Sequence, residues 1–355
     1  MLTSAIILAT PAGAASSIVR VDGADTTSDA AGCGSVANPC NTIQAGIDNA
    51  ASGDTIHVRA GTYEGAVVDR AVHLKALGQV IIDTGPLSHP PRLRAGFLFN
   101  PDRSGSGASI EGFRFVGVPQ GIGNPDDGKL DFAIFSRGAD DVEVSHNSLS
   151  MVLQGITNWN GAGWTIEHNT IIDLWTLNGG GIGILIGGFD GTTVIEDNVL
   201  FHNDVNGTIH VDPADSGGYD GVGIVAFADF RSGQPGAPSI TENVMEQNRV
   251  ELVSSSPAVV NANGIELTVA HPGVPPTTIS ENSVEKNRVK NVSGNAIVVS
   301  DGSADNAITK NDFRDSVETD AVDESTGAGT AGTANNWTKN KCGSSSPDGL
   351  CDRGR

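Results

Sequence analysis

Ile166-Glu167-His168-Asn169 is the stretch that decides the fold, because an apolar β-former three residues before an Asn keeps returning. Ile and Asn open and close the same four-residue unit at 195–198, 240–243, 279–282 and 308–311, with Val144 and Asn147 before them and Trp337 and Asn340 after. The steps between these Asn are 22, 29, 45, 39, 29 and 29 residues (147→169→198→243→282→311→340). A repeat of that size with longer excursions predicts stacked coils that carry loops of variable length.

A second repeat interleaves with the first. Short apolar runs fall between the Asn units: Gly155-Ile156, Gly183-Ile184, Gly223-Ile224, Gly264-Ile265, Ala296-Ile297 and Ala321-Val322. A third short pair follows most Asn, such as Thr170-Ile171-Ile172. Each unit thus holds three strand candidates between turns rich in Gly, Asn, Asp and Ser. No unit has an amphipathic run long enough for a helix of three turns. Three strands per coil, stacked in parallel, predict an all-β, right-handed parallel β-helix. The recurring Asn suits a buried turn, since its amide both donates and accepts and it tolerates the left-handed backbone region. Stacked in successive coils, the Asn side chains are expected to form a hydrogen-bonded ladder.

The order of Gly-Ile-x-aliphatic, then β-former-x-x-Asn, then a short strand resembles the repeat of the pectate-lyase-like superfamily. The segments Asn38-Pro39-Cys40-Asn41-Thr42-Ile43 and Gly53-Asp54-Thr55-Ile56-His57-Val58 are similar to the opening of many secreted members. The resemblance runs from about Cys40 to Asn340. It implies the fold and leaves the activity open, because that superfamily spans lyases, hydrolases, epimerases, phage spikes and inert surface proteins.

Composition agrees with one elongated solenoid over 17–340. Of 355 residues 46 are Gly and only 18% are charged, as expected of short strands and turns. A short helix is expected within 33–52, where Ile43 and Ile47 share helical spacing and Asn41 or Thr42 can cap, covering the open end of the first coil. Cys33 with Cys40 and Cys342 with Cys351 read as two disulfides rather than a metal site, the second pinning a tail over 341–355. Disulfides imply an oxidising compartment. Residues 1–16 read as an export signal, apolar but too short to span a bilayer and lacking a basic start. A secreted, extracellular location is expected, with no membrane span.

The net charge of −21, from 42 acidic and 21 basic residues, excludes nucleic acid as a natural partner. It also repels polyanionic glycans unless a basic cleft or bound cations offset it, whereas a neutral glycan meets no such barrier.

In the lyase-like members, substrate lies across the outer face of the sheet made by the first strands. With the repeated Ile inward, alternation places Phe135, Thr157, Leu185, Val225, Glu266, Val298 and Asp323 outward. Two residues on, a second outward row reads Arg137, Trp159, Gly187, Phe227, Thr268 and Ser300. This face holds no cluster of adjacent carboxylates of the kind that hydrolysis or calcium binding requires. The long insertions are richer. The loop expected over 201–221 carries His210, Asp212, Asp215, Tyr219 and Asp220, and Asp229 and Arg231 follow the next strand. Asp212, Asp215, Asp220 and Asp229 are candidate acid and base carboxylates, and His210 or Arg231 a candidate base for β-elimination. Trp159 and Phe227 are candidate sugar platforms, with Tyr219, Glu266 and Arg137 as further substrate contacts. Asp212, Asp215 and Asp220, with Gly217 and Gly218 between them, also suggest an oxygen-rich Ca2+ loop. Asn206, Asn291 and Asn336 open glycosylation acceptor patterns.

The chain is therefore expected to act on extracellular polysaccharide or oligosaccharide as a lyase or glycoside hydrolase. The other reading is a non-catalytic surface or adhesion β-helix that binds glycan or protein through its loops.

Overall fold

The computed structural model describes residues 16–24, 29–88, 93–118, 128–189, 193–229, 238–270 and 279–352. Apart from Ser16, the expected export segment lies outside them. The named strands pair in parallel with their counterparts in neighbouring coils, as in Gln154–Trp159 with Phe132–Arg137 on one side and Ile182–Gly188 on the other. The coils form a right-handed parallel β-helix, the sense that parallel crossovers take.

Among the described residues ten strands form what we call the floor sheet, which includes Gln154–Trp159, Ile182–Gly188, Gly221–Asp229 and Ala262–Ala270. Nineteen strands of the described residues make the other two walls, joined into one sheet by the long strands Thr55–Glu64 and His73–Thr84. A four-stranded sheet of short segments, Val194–Ile195, Ser239–Thr241, Ile279–Ser280 and Ser303–Ala304, fills the corner between them. The expected inward Ile of the floor sheet do stack in register: Ile134, Ile156, Ile184, Ile224, Ile265 and Ile297 are all fully buried. Burying each one stabilises the chain by roughly 2–3 kcal/mol before entropy is counted.

The Asn ladder exists, but there are two, and the sequence repeat runs them together. One ladder links Asn147, Asn169, Asn203, Asn248, Asn287, Asn311 and Asn340. The other links Asn198, Asn243, Asn282, Asn306 and Asn335, and the buried Asn158 caps its start. Asn198, Asn243 and Asn282 were expected in the same stack as Asn169 and Asn311, yet they turn a different corner of the coil. Their partners in the first ladder lie five residues on, after Leu200, Met245 and Val284 instead of Ile. The true steps are 22, 34, 45, 39, 24 and 29 residues.

The spacing has a physical reason. In the first ladder each amide nitrogen donates to the carbonyl of the apolar residue three places before the previous Asn. Asn169 reaches Val144 at 2.8 Å, Asn203 reaches Ile166 at 2.8 Å and Asn248 reaches Leu200 at 2.8 Å. The apolar side chain enters the core while its carbonyl receives the next coil. Before each ladder Asn stands a residue in the left-handed region, namely His146, His168, His202, Gln247, Lys286, Lys310 and Lys339, with φ between 53° and 58°. The strain is repeated in every coil and is held by the Asn bonds on either side.

The ends follow the expected plan with two adjustments. The cap helix is Ile43–Asp48, with Thr42 as its N-cap accepting from the Ala45 amide at 3.1 Å. It buries Ile43, Ala45, Gly46 and Ile47; a Cβ at Gly46 would lie 2.7 Å from Val21 Cγ2, so glycine lets the helix sit on the first coil. Both disulfides form, Cys33–Cys40 and Cys342–Cys351. The expected tail from 341 is in part a further coil, since Lys341–Cys342 and Ser345–Ser346 still pair with the strands before them. The 201–221 insertion is also shorter than expected, because Asp204–Val211 is a strand of the wall sheet and only the remainder crosses to the floor sheet.

Candidate active site

The outer face of the floor sheet is covered instead of bare. Phe135, Thr157, Leu185 and Val225 are nearly or fully buried there; Phe135 belongs to one apolar cluster, with Trp159 and Trp175 packed against it, and Leu185 and Val225 to a second, with Trp159 and Phe227 packed against it. Asp323, expected in this row, faces the other way. Val322 pairs with Val298, while Asp323 pairs with the inward Val299 and accepts from Trp337 Nε1 at 2.7 Å and from Ser325. It closes the C-terminal core and is no surface residue.

A groove of about 260 Å³ opens over the second of these clusters, with Leu185, Val222 and Val225 in its lining. The register aligns a pair of positions in successive coils beneath it: Gln154 with Thr157, Ile182 with Leu185, Val222 with Val225, and Asn263 with Glu266, of which all but Thr157 and Asn263 line the groove. Two apolar pairs thus lie between two polar ones. Trp159 and Phe227 stand on the second row with Gly187 between them, rings edge-to-face at 6.0 Å. A Cβ at Gly187 would lie 2.9 Å from Trp159 Cζ3, so glycine is what gives the indole its place. Gly179, Gly180, Tyr219, Asp220 and Asp229 complete the lining.

Glu266 is the chemical centre of the groove. Its carboxylate accepts from Asn263 Nδ2 at 2.8 Å and from Thr268 Oγ1 at 2.8 Å. Asn263 Nδ2 also donates to Asp220 Oδ2 at 3.2 Å, and Asn263 Oδ1 is held by the Asn295 amide at 2.7 Å. Burial pushes the Glu266 carboxyl above its usual range, and Asp220 adds to the rise against the two donors that lower it. The side chain still reaches the groove surface, so the burial comes from the walls around it. Such burial favours the protonated form of the Glu266 carboxyl.

Six residues singled out in the sequence meet here: Trp159, Tyr219, Asp220, Phe227, Asp229 and Glu266. The carboxylate nearest Glu266 comes from outside the outward row: the turn before Gly221 brings Asp220 to it. Asp229 is further off. It pairs with Ala270, four residues beyond Glu266, which is about 13 Å along a strand.

The other candidates lie elsewhere. Asp215 is buried beneath the loop and accepts from Thr176, Tyr219, Asn178 N and Gly217 N. Burial alone would raise its carboxyl, but these bonds outweigh it and hold the group below its usual value. It fixes Tyr219, whose phenol is pushed up to about 12 by burial and by Asp215. Asp212 accepts from the Ala214 amide at 2.7 Å and shapes the turn. His210 is on the wall sheet, stacked on Trp175 and 4.0 Å from Asp173. Arg137 lies over Phe189 and Phe135 in a separate depression. Arg231 lies outside the described residues.

Asp212, Asp215 and Asp220 do not converge, and among the described residues no group of three or more His, Cys, Asp or Glu is placed to hold a metal. The sequence reading missed Asn263 and placed Thr268 on the outward face without a role; both are donors that set Glu266. Their signal was polar residues at outward positions where the preceding coil carries Val222 and Phe227.

Several solved structures are distantly similar to the chain. The Family 28 exopolygalacturonase of Yersinia enterocolitica is 12% identical, over 93% of this chain and 78% of that one, with a TM-score of 0.35. A rhamnogalacturonan lyase is 11% identical over 94% and 88%, with a TM-score of 0.38. The DFA-IIIase of Arthrobacter chlorophenolicus A6 is 14% identical over 77% and 76%, with a TM-score of 0.30. No curated protein matches the sequence. The model of the right handed beta helix region matches residues 155–341, more than half of the chain, and the chain belongs to that family.

Proposed function

We propose that the chain is a glycoside hydrolase that cleaves a neutral glycan in the groove over the floor sheet. The observation that carries this reading is the Glu266 carboxyl, raised by burial and coupled through Asn263 to Asp220. Glycoside hydrolysis needs one carboxylic acid to protonate the leaving oxygen and one carboxylate to act as base or nucleophile. Glu266 takes the first role and Asp220 the second. Trp159 and Phe227 offer apolar ring faces to the sugar, and Asp229 on the rim accepts from its hydroxyls.

The groove argues against a lyase acting on uronates. β-Elimination next to a uronate needs a base and a cation to quiet the carboxylate. Among the described residues the lining has three acids and no Lys, Arg or His. A neutral sugar meets no repulsion from them. Secretion fits the two disulfides and an extracellular substrate.

The test is a panel of neutral and uronate glycans, assayed for new reducing ends and for unsaturated products. The hydrolase reading expects reducing ends from a neutral glycan and no absorbance from an unsaturated uronate. Unsaturated product would establish a lyase. Binding without any product would leave the surface-binding role.

A further inference from the structure

Three histidines precede ladder Asn in consecutive coils: His146, His168 and His202. All three hold the left-handed backbone, at φ 58°, 54° and 53°. The fold needs no imidazole at this position, since later coils place Gln247, Lys286, Lys310 and Lys339 there with the same backbone. Two of the rings are set apart by their geometry. His146 and His168 stack flat, 4° apart at 5.0 Å, so their in-plane lone pairs run parallel. His168 and His202 stand at 83°, with His168 Nε2 and His202 Nδ1 3.3 Å apart.

We propose that His168 and His202 chelate a divalent transition-metal ion on the outer turn of the helix, away from the groove. Two imidazole nitrogens bound at about 2.0–2.1 Å in a tetrahedral arrangement stand about 3.3 Å apart, which is the separation found. The outer partners leave the facing nitrogens free to ligate. Gln247 donates its amide to Glu246 at 3.0 Å, so its Oε1 faces His202 Nε2 at 2.9 Å and that nitrogen carries the proton. His202 Nδ1 therefore presents a lone pair. His168 Nδ1 lies 3.9 Å from Glu167 Oε2, which favours a proton there when Nε2 is taken by an ion. Without an ion, a proton on His168 Nε2 satisfies both nitrogens. The ion replaces that proton, which moves to Nδ1, and no other group has to shift.

Asn169 and Asn203, the residues that follow, are bonded to each other at 3.1 Å, so the ladder sets the distance between the two turns. Because two protein ligands are available, water completes the coordination. Among divalent first-row ions Cu2+ binds such nitrogen sites most tightly and is the probe of choice.

The experiment is a Cu2+ titration of the full chain by calorimetry and electron paramagnetic resonance, on wild type and on His168→Asn, His202→Asn, His146→Asn and His210→Asn. Asn accepts the left-handed backbone, so the variants keep the turn. The proposal expects one ion with two nitrogen ligands, bound at least 10-fold more weakly in His168→Asn and in His202→Asn and unchanged in the other two. Unchanged binding in either of the first two variants, or equal loss in the others, would overturn it. Paramagnetic broadening of imidazole resonances in the unaltered chain gives a second reading: His168 and His202 must broaden first.

Discussion

Glu266 and Asp220 are hydrogen-bonded to the same nitrogen, Nδ2 of Asn263, at 2.8 and 3.2 Å. One amide thus sets the spacing of two acids from adjacent coils. Glu266, deeper in the wall, favours the protonated form, while Asp220 at the exposed lip raises it further. Asp220→Asn removes that charge and the second carboxylate together. Turnover should fall by about 10²–10⁴, with glycan affinity by calorimetry kept within a few fold.

The raised Glu266 carboxyl makes the protein less stable at neutral pH. A group whose pKa is raised on folding contributes stability below its unfolded value and loses it as pH rises through the folded value. Glu266→Gln removes that loss, and the Thr268 hydroxyl can turn to accept from the new amide. Thermal unfolding should show a higher Tm than wild type at pH 8 and the same Tm at pH 4. A lower Tm at pH 8 would mean that the carboxylate is well solvated.

Asn263→Ala removes a donor that lowers the Glu266 pKa. The alkaline limb of kcat, where an essential acid loses its proton, should move to higher pH. Asp220→Asn, if any activity remains, should move that limb to lower pH. Opposite shifts in these two variants are a signature that simple loss of structure does not produce.

The ladder should dominate stability. Asn248 donates to Leu200 O and to Asn287 Oδ1, and accepts from Asn203. Asn248→Ala leaves several buried groups unpaired and should cost about 3 kcal/mol by denaturant unfolding. Asn336→Ala, at an exposed position on a strand, should stay within about 0.5 kcal/mol of wild type.

Asp215 separates a structural acid from a catalytic one. Its oxygens are engaged with Thr176, Asn178, Gly217 and Tyr219 beneath the loop. Asp215→Asn should loosen Tyr219, raise KM and lower Tm while leaving kcat near wild type. A collapse of kcat at unchanged Tm would return Asp215 to the chemistry.

The fold was readable because each coil writes its core residue and its turn residue at a fixed interval. What misled was the nearness of two ladders. Ile195 and Asn198 copy the pattern of Ile166 and Asn169 while turning another corner, and the true counterpart, Leu200 with Asn203, is five residues on. A one-dimensional pattern carries no label for the corner it serves. The site was half readable for a related reason. Trp159, Phe227 and Glu266 follow from alternation along strands, whereas the meeting of Asp220 with Glu266 depends on the path of the 212–220 turn, which no periodicity encodes. His210 went astray because a segment read as loop is a strand of another wall. Asp215 looked catalytic because composition shows an acid and not what it is bonded to.

The most direct test of the account is the leaving-group dependence of Glu266→Gln. A general acid is needed only where the departing oxygen must be protonated. On the natural glycan the variant should lose about 10²–10⁴ in kcat/KM, while on an aryl glycoside with a dinitrophenolate leaving group it should retain most of the wild-type rate. Equal losses on both substrates, or none on the glycan, would contradict the assignment of Glu266 as the acid of this groove.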